Sequence, residues 1–383
     1  FTNANEVLDI NYKVLLDGEV ILVDKLILES LNPQEEKWYK LNISELPVGI
    51  ITILIESSIK YDHSLYKKGT ILGHDQFIIK NEATNIESVN KLTQITNDEE
   101  KLNVEESINK IKITNSRLTY VYNKNTGTFE FIESLGEVFI DNPLEFVIWR
   151  SPTDNDRKIK NDWIEAGFNQ ITTYVYNTEI KEYSNKLEIV SFLSLIPPYR
   201  EKVVDVTVTW TIYPCGLINC NIEANKNMKT PYLPRFGVEL KLNKSYENVN
   251  YFGFGPYENY IDKNSSCYLG RFNSKVSEMH EDYIKPQENG SHHFCREVSI
   301  NNNSGKLYIL SENDFAFNAS HFSIYQLTNT SHNFDLNEEN FTYLIVDYKQ
   351  SGIGSNSCGP DLPEEYRLNE EKFSYNFYLK FIV

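Results

Sequence analysis

The chain has 383 residues, which exceeds the usual size of one domain and predicts two domains, each large enough to bury its own core. Its 54 Asp and Glu against 37 Lys and Arg give a net charge of −17, and the excess acid is spread along the sequence. Nucleic acid or an anionic membrane would need clustered positive charge, so composition argues against both as partners.

Strand patterns begin close to the first residues. Residues 20–27 and 50–56 are rich in β-branched side chains, with Gly, Asn, Pro and Asp between the apolar runs. The strand spacing predicts an immunoglobulin-like β-sandwich over about residues 1–85. Residues 86–104 are polar and acidic, with NDEEK at 97–101, and this composition predicts a linker.

A second unit is predicted over residues 105–383. Residues 202–213 and 375–383 again have strand patterns, and the best helical signal is Asp162–Gly167, which is short and closed by glycine. An open sheet of so many strands would leave unpaired edges, so the sheets must close or pack in two layers. The sequence therefore predicts an all-β protein.

The first candidate loop is Ile148–Arg157, which reads IWRSPTDNDR. Glycoside hydrolysis uses two carboxyl groups roughly 5–10 Å apart, and Asp154 and Asp156 flank Asn155 in this loop. In such turns Asp and Asn side chains commonly accept hydrogen bonds from nearby backbone amides. Shaping of the loop is therefore favoured over catalysis.

A second polar group follows in GPYENYID, and it contains Glu258, Asn259, Tyr260 and Asp262. The phosphate-binding pattern G-x-x-x-x-G-K is absent, so a buried polar network under a Gly-Pro turn is favoured over a ligand site. Adjacent His292 and His293 would face opposite ways on a strand and could not chelate one ion. No zinc site is predicted.

Three segments resemble the carboxy-terminal domain of the family 2 glycoside hydrolase β-galactosidases, namely Tyr251–Arg296, Ile148–Arg157 and Gly352–Leu362. The resemblance implies that the sandwich is followed by a large antiparallel super-sandwich similar to that of galactose mutarotases. In that family the two catalytic glutamates and the Mg²⁺ site belong to an upstream barrel, which is absent from this sequence. No catalytic residue is therefore expected here.

The resemblance also implies two loops on one side of the larger domain, at the rim of a galactose site. The rim residues would be Asp154, Asn155, Asp156, Arg157 and Lys158 on the first loop and Ser355, Asn356, Ser357 and Cys358 on the second. Some members carry a stacking Trp on the second loop, where this chain has Cys358 or its neighbours. Some also bind Na⁺ through backbone carbonyls, and the matching positions are Lys285, Pro286, Leu327 and Thr330.

The implied partners are a catalytic barrel on the same or a companion chain and a β-galactoside substrate such as lactose, in a homo-oligomeric parent enzyme. Three alternatives stay open: a stand-alone carbohydrate-binding or scaffolding module, the small subunit of a split β-galactosidase, and an aldose epimerase. An epimerase needs a His and a Glu that converge on a sugar. The histidines at 280, 292, 293, 321 and 332 form no recognisable motif.

The cysteines and the first residues bear on location. The five cysteines are odd in number and include no C-x-x-C pair, and no apolar run reaches the roughly 20 residues of a membrane helix. The opening FTNANEVLDI lacks the layout of a signal peptide and begins without methionine. We therefore expect a reduced, cytoplasmic protein, present here as a piece of a longer chain.

Overall fold

The computed structural model describes residues 3–32, 34–43, 46–81 and 101–383. The chain divides into two compact units, residues 1–84 with 268–271 and residues 85–267 with 272–383. Most of the predicted linker at 86–104 lies outside the described residues, so the linker stays a prediction. Its last two residues, Asn103 and Val104, belong to a strand.

The first unit contains one antiparallel sheet among its described residues. After a short helix α1 (Ala4–Val7) come β1 (Leu8–Leu16), β2 (Glu19–Leu26), β3 (Ile50–Ile59) and β4 (Ile71–Asn81), in the order β2-β1-β3-β4. Asp17 and Gly18 join β1 to β2 with φ values of 47° and 81°. Asp-Gly is favoured in such tight hairpins because both positions need positive φ.

The second unit is built from many antiparallel strands. They are β5 (Asn103–Glu106), β6 (Lys110–Thr114), β7 (Leu118–Asn123), β8 (Thr128–Ser134), β9 (Glu137–Ile140), β10 (Glu145–Val147), β11 (Thr172–Glu182), β12 (Leu187–Ile196), β13 (Val204–Ile212), β14 (Leu217–Lys226), β15 (Arg235–Asn243), β16 (Asn248–Gly255), β17 (Tyr268–Lys275, whose first four residues belong to the first unit), β18 (His292–Asn301), β19 (Lys306–Ser320), β20 (Phe341–Gln350) and β21 (Lys372–Ile382). Strands dominate and helices are few, so the all-β prediction is confirmed.

These strands form two sheets. Strands β5 to β9 pair in chain order, and the larger sheet runs β10-β15-β20-β19-β21-β14-β13-β12-β11, with β18 pairing with β19 and β16. The sheets pack face to face through aromatic side chains. Phe129 of the smaller sheet meets Trp210 of the larger at a centroid distance of 5.2 Å, edge to face, and both rings are fully buried. The core therefore lies between the two layers.

The order of three strands positions the candidate site. Both β10 and β20 pair antiparallel with β15, so these two strands run in the same direction. Val147 at the end of β10 lies opposite Gly237, and Gln350 at the end of β20 lies opposite Arg235. The loops that follow β10 and β20 therefore leave the sheet at the same edge.

A short helix closes the first of these loops. Helix α2 (Ile159–Glu165) begins three residues before the predicted start, and Gly167 follows it with a left-handed φ of 79°. Trp163 of α2 is fully buried and donates from Nε1 to the carbonyl of Tyr232 at 2.8 Å. The buried indole anchors the helix to the sheet. Of the residues that the structure describes, none belong to a helix with the length and apolar character needed to span a membrane.

Candidate functional site

The first and second loops meet at one buried arginine, Arg150. Its Nη2 and Nε donate to the two carboxylate oxygens of Asp156 at 2.8 and 3.2 Å. The same guanidinium donates to the carbonyls of Ser351 and Gly352, where the second loop begins. The side chains of Arg150 and Asp156 are 0% and 1% exposed. One buried side chain thus sets the spacing between the two loops.

The two predicted acids of the first loop have different environments. Asp156 also accepts hydrogen bonds from the backbone N–H and the hydroxyl of Thr153, which caps the short turn Asp154–Asp156. Asp154 is exposed, and its backbone N–H donates to Gln287 Oε1 at 2.9 Å. Since one carboxylate is buried in an ion pair and the other is exposed, the two do not face a common substrate as an acid and nucleophile pair would.

Side-chain amides join the loops directly. Asn155 Nδ2 donates to the carbonyl of Ile353 at 2.7 Å, and Asn356 Nδ2 donates to the carbonyl of Asn155 at 2.9 Å. Lys158 Nζ adds a bond of 2.6 Å to the carbonyl of Gly359. The predicted rim residues Asn155, Lys158 and Asn356 therefore hold the loops together from both sides.

Asp262 binds the backbone of the second loop. Its carboxylate accepts the backbone N–H groups of Ile353, Gly354 and Ser355 at 2.9, 2.9 and 2.7 Å. A Cβ at Gly352 would lie 2.4 Å from the same carboxylate, so only glycine permits this approach. The sequence grouped Asp262 with its neighbours in GPYENYID, whereas its contacts are with a segment about 90 residues away.

Glu258 is the charged centre of the other part of that predicted network. Its carboxylate accepts hydrogen bonds from the hydroxyl of Tyr283 at 2.6 Å and from the backbone N–H of Gly290 at 2.8 Å. Lys263 pairs with the same carboxylate. All of these partners are groups of the protein itself, so the contacts of Glu258 are structural.

Asn259 and Tyr260 are both fully buried. Asn259 donates to the carbonyls of Phe254 and Tyr257 at 2.8 and 3.0 Å and accepts the N–H of His293 at 2.8 Å. Burial raises the pKa of Tyr260 well above its ordinary value. These contacts brace a buried turn, which agrees with the interpretation as a polar network.

A second buried arginine, Arg235, was not found by sequence reasoning. It makes two bonds to Asp347, at 2.6 and 3.1 Å, and one to Glu288 at 3.2 Å. Burial raises the pKa of both acids, while the Arg235 charge opposes that shift. No local pattern marks these residues, because Arg235 and Asp347 are 112 positions apart.

The exposed faces of the two loops border a cavity of about 420 Å³. Its charged lining comprises Arg157, Lys158, Lys229, Arg367, Asp162 and Asp361. Asn155 and Asn356 also line the cavity, whereas Ser355, Ser357 and Cys358 do not. Ser357 and Cys358 are exposed beside it, and Cys358 has a left-handed φ of 63°. The cavity is lined by both charged and apolar side chains, and its volume is in the usual range of small-molecule sites.

The four positions nominated for a cation contain a lysine. Lys285 Nζ donates to the carbonyl of Pro286 at 3.0 Å and to that of Thr330 at 2.9 Å. Leu327 lies in the helix α3 (Ile324–Asn329) and is buried. In the described ranges, no three or more His, Cys, Asp and Glu side chains are grouped so as to hold a metal ion.

Comparison with known proteins gives consistent matches. The family described as "Beta galactosidase small chain" matches residues 114–379. A β-galactosidase of Staphylococcus xylosus is 37% identical over 334 residues, which is 87% of this chain and 33% of that protein. One from Actinobacillus pleuropneumoniae is 36% identical over 78% of this chain and 30% of its own length. The chain thus spans about a third of the length of these relatives.

Among solved structures, a galactose 1-epimerase from Lactobacillus acidophilus NCFM matches with a TM-score of 0.41 and 12% sequence identity. The match covers 74% of this chain and 98% of that one.

Proposed function

The chain belongs to the family of β-galactosidase small chains, and we propose that it is the non-catalytic carboxy-terminal part of a retaining, family 2 β-galactosidase. The substrates would be terminal β-D-galactosides such as lactose. The catalytic carboxylates and any Mg²⁺ would belong to a barrel on the same or a companion chain, in a cytoplasmic homo-oligomer. The odd number of cysteines and the lack of a C-x-x-C pair in the sequence support a reduced setting.

The observation that carries this proposal is the joined pair of loops. Arg150 holds both loops from the buried side, and Asp262 holds the second loop. Asn155 and Asn356 hold the two loops to each other. A rigid support of this kind is what a binding rim needs, because small displacements at an active site lower activity strongly. The exposed groups of the loops remain available to a substrate.

The hydrogen bonds that the loop-supporting acids already accept from the protein support a non-catalytic role. A retaining glycosidase needs two carboxyl groups about 5–5.5 Å apart, one of which transfers a proton. Asp156 and Asp262 instead accept several hydrogen bonds each from the protein itself. Proton transfer by either group would break the contacts that hold the loops.

The first test uses this chain alone with a chromogenic β-galactoside. We expect no turnover, and we expect activity once the chain is mixed with the remainder of the enzyme that carries the barrel. Turnover by the isolated chain that Asp154→Asn removes would overturn the non-catalytic assignment. Absence of activity in the mixture, with both parts folded, would overturn the assignment to a β-galactosidase.

The second test concerns the rim in the complete enzyme. Asn155→Ala removes the amide that bonds Ile353 O and so loosens the rim. We expect KM to rise by up to roughly tenfold, the factor that corresponds to the free energy of one hydrogen bond, with kcat nearly unchanged. Asn142→Ala changes a partly exposed asparagine outside the loops and should leave both constants unaltered. A loss in kcat as deep as that of a barrel carboxylate variant would show that the rim takes part in chemistry.

A stand-alone carbohydrate-binding module is favoured by one observation. The larger sheet carries a cavity of about 650 Å³ in which exposed rings of Tyr176 and Phe192 lie near Asp205 and Glu223. Flat rings with flanking polar groups suit a sugar. Binding of galactose or lactose to the isolated chain, weakened by Phe192→Ala and unaffected by Asn155→Ala, would favour this function.

The histidines disfavour an aldose epimerase. Burial lowers the pKa of His292 to about 4 and that of His293 to about 3, so both rings stay neutral and inaccessible at neutral pH. His321 does pair with Glu247 at 2.6 Å, but it is buried, and Glu247 also accepts the hydroxyl of Ser277. The pair is structural.

A further inference from the structure

The carbonyl oxygens that the resemblance nominates for sodium are in contact with an ammonium group of the protein. Lys285 Nζ lies 3.0 Å from Pro286 O and 2.9 Å from Thr330 O. An alkali ion bound to the same two oxygens would have to lie almost against Nζ, where two like charges repel strongly. The residues present therefore do not fit a metal ion at this position.

The carbonyl of Thr330 attracts positive charge because it lies at the carboxy-terminal end of a helix. Thr330 is the C-cap of α3, and its N–H already closes the helix by donating to Gln326 O. The last carbonyls of a helix have no partners within the helix and form the negative end of its dipole. A lysine that reaches such carbonyls satisfies them as a C-terminal cap.

The bond also joins two segments that support the first loop. On one side, Gln287 follows Pro286 and accepts the N–H of Asp154 at 2.9 Å. On the other, Thr328 of α3 accepts the indole N–H of Trp149 at 3.2 Å. Asp154 further interacts favourably with the Lys285 charge. Lys285 therefore supports the first loop through these two segments and is not itself a rim residue.

The same arrangement recurs at Lys226. Its ammonium donates to the carbonyls of Asn227 and Thr230 at 3.2 and 3.0 Å. Burial lowers the pKa of Lys226 to about 8, which still leaves the ammonium mostly protonated at neutral pH. A lysine ammonium therefore donates to two neighbouring carbonyls at a second, independent place in the chain.

We propose that the ammonium of Lys285 is the resident cation of this position and replaces an alkali metal ion there. It holds the segment 285–287 against the end of α3 and so positions the first loop. The stability of this chain should consequently be indifferent to sodium at constant ionic strength.

The experiment follows thermal unfolding of the purified chain while sodium chloride is replaced stepwise by choline chloride at fixed ionic strength. The wild-type Tm should not change. Lys285→Met removes the charge but keeps the apolar stem, and its Tm in choline should fall by about 2–4 °C, with part of the loss regained in sodium as the vacated carbonyls accept an ion. Lys160→Met removes a nearby charge that bonds none of these carbonyls and should follow the wild type.

Two results would overturn the proposal. A saturable rise of the wild-type Tm with sodium and not with choline would mean that a metal ion binds beside the lysine, and this comparison needs no variant. An unchanged Tm of Lys285→Met in both salts would mean that the ammonium holds nothing. A lowered Tm of Lys285→Met, with or without recovery in sodium, together with an indifferent wild type supports the proposal.

Discussion

The first loop contains two kinds of charge within a few residues. Arg150 and Asp156 are fully buried and pair with matched geometry, whereas Lys158 has a side chain 62% exposed and Arg157 lies at the surface. A buried charge is tolerated only when partners satisfy it, while an exposed charge contributes little to stability. The buried charges of this loop therefore hold the fold, and its exposed charges line the cavity.

The largest expected effect tests that division within one loop. Arg150→Met leaves Asp156 buried without its partner and frees two carbonyls, so we expect a loss of about 3–5 kcal/mol in the free energy of unfolding. Arg157→Met, a matched change seven residues later, should alter it by less than about 0.5 kcal/mol. Urea unfolding of both variants measures the contrast. Similar losses in the two variants would show that burial does not separate the roles of the two arginines.

The next prediction concerns Glu239, a buried acid whose ion-pair partner is a lysine. Glu239 of β15 is 7% exposed, and burial raises its pKa to about 7, opposed by Lys241 at 3.8 Å. The pKa of a Glu in an unfolded chain is about 4.3, so folded Glu239 retains its proton over a pH range in which the unfolded chain has lost it. Stability therefore falls as pH rises from about 4.3 to about 7, by at most about 4 kcal/mol.

The variant Glu239→Gln removes this titration. It should match the parent chain near pH 4 and exceed it in stability above about pH 7, measured by urea unfolding across that range. Glu145→Gln is the control, because Glu145 bonds the same Lys241 at 2.7 Å from an exposed position. Parallel pH profiles of the parent and Glu239→Gln would contradict the prediction.

A smaller effect is expected at Asp262, a partly buried carboxylate that accepts hydrogen bonds from backbone amides. Asp262→Ala removes the acceptor of three N–H groups in the second loop, at a cost of about 1.5–3 kcal/mol. Hydrogen exchange of the amides at 353–355 should quicken. Asp361→Ala, whose side chain is 78% exposed in the same loop, should change neither quantity. Unchanged exchange in Asp262→Ala would show that the loop is held by other contacts.

The smallest effect on stability belongs to the exposed tip. Cys358→Trp should change the free energy of unfolding by less than about 0.5 kcal/mol, since the thiol is exposed. In the complete enzyme the added ring should alter KM or acceptor preference while kcat stays close to its original value. Cys358→Ser keeps the size and should follow the parent. Wild-type kinetics in Cys358→Trp would place the tip outside the substrate path.

Much of this arrangement was readable from local patterns. Alternating and β-branched runs predicted the strands, Gly167 marked the end of α2, and the Thr153 to Asp156 spacing suits a capped turn. The interpretation of Asp154 and Asp156 as shaping residues rested on such short-range chemistry. Each of these features depends on residues within one or two turns of chain.

The contacts that make the loops a site are of another kind. Arg150 meets Ser351 across 201 positions, and Asp262 meets Ile353 across 91. Sequence patterning alone carries no information on which strands become neighbours, so these pairs could not be foreseen. The strand periods and turn chemistry were determined by the sequence alone, because each depends on near neighbours. Which charges are buried, and which loops meet, was decided only when β10 and β20 aligned on either side of β15 and brought their ends to one edge.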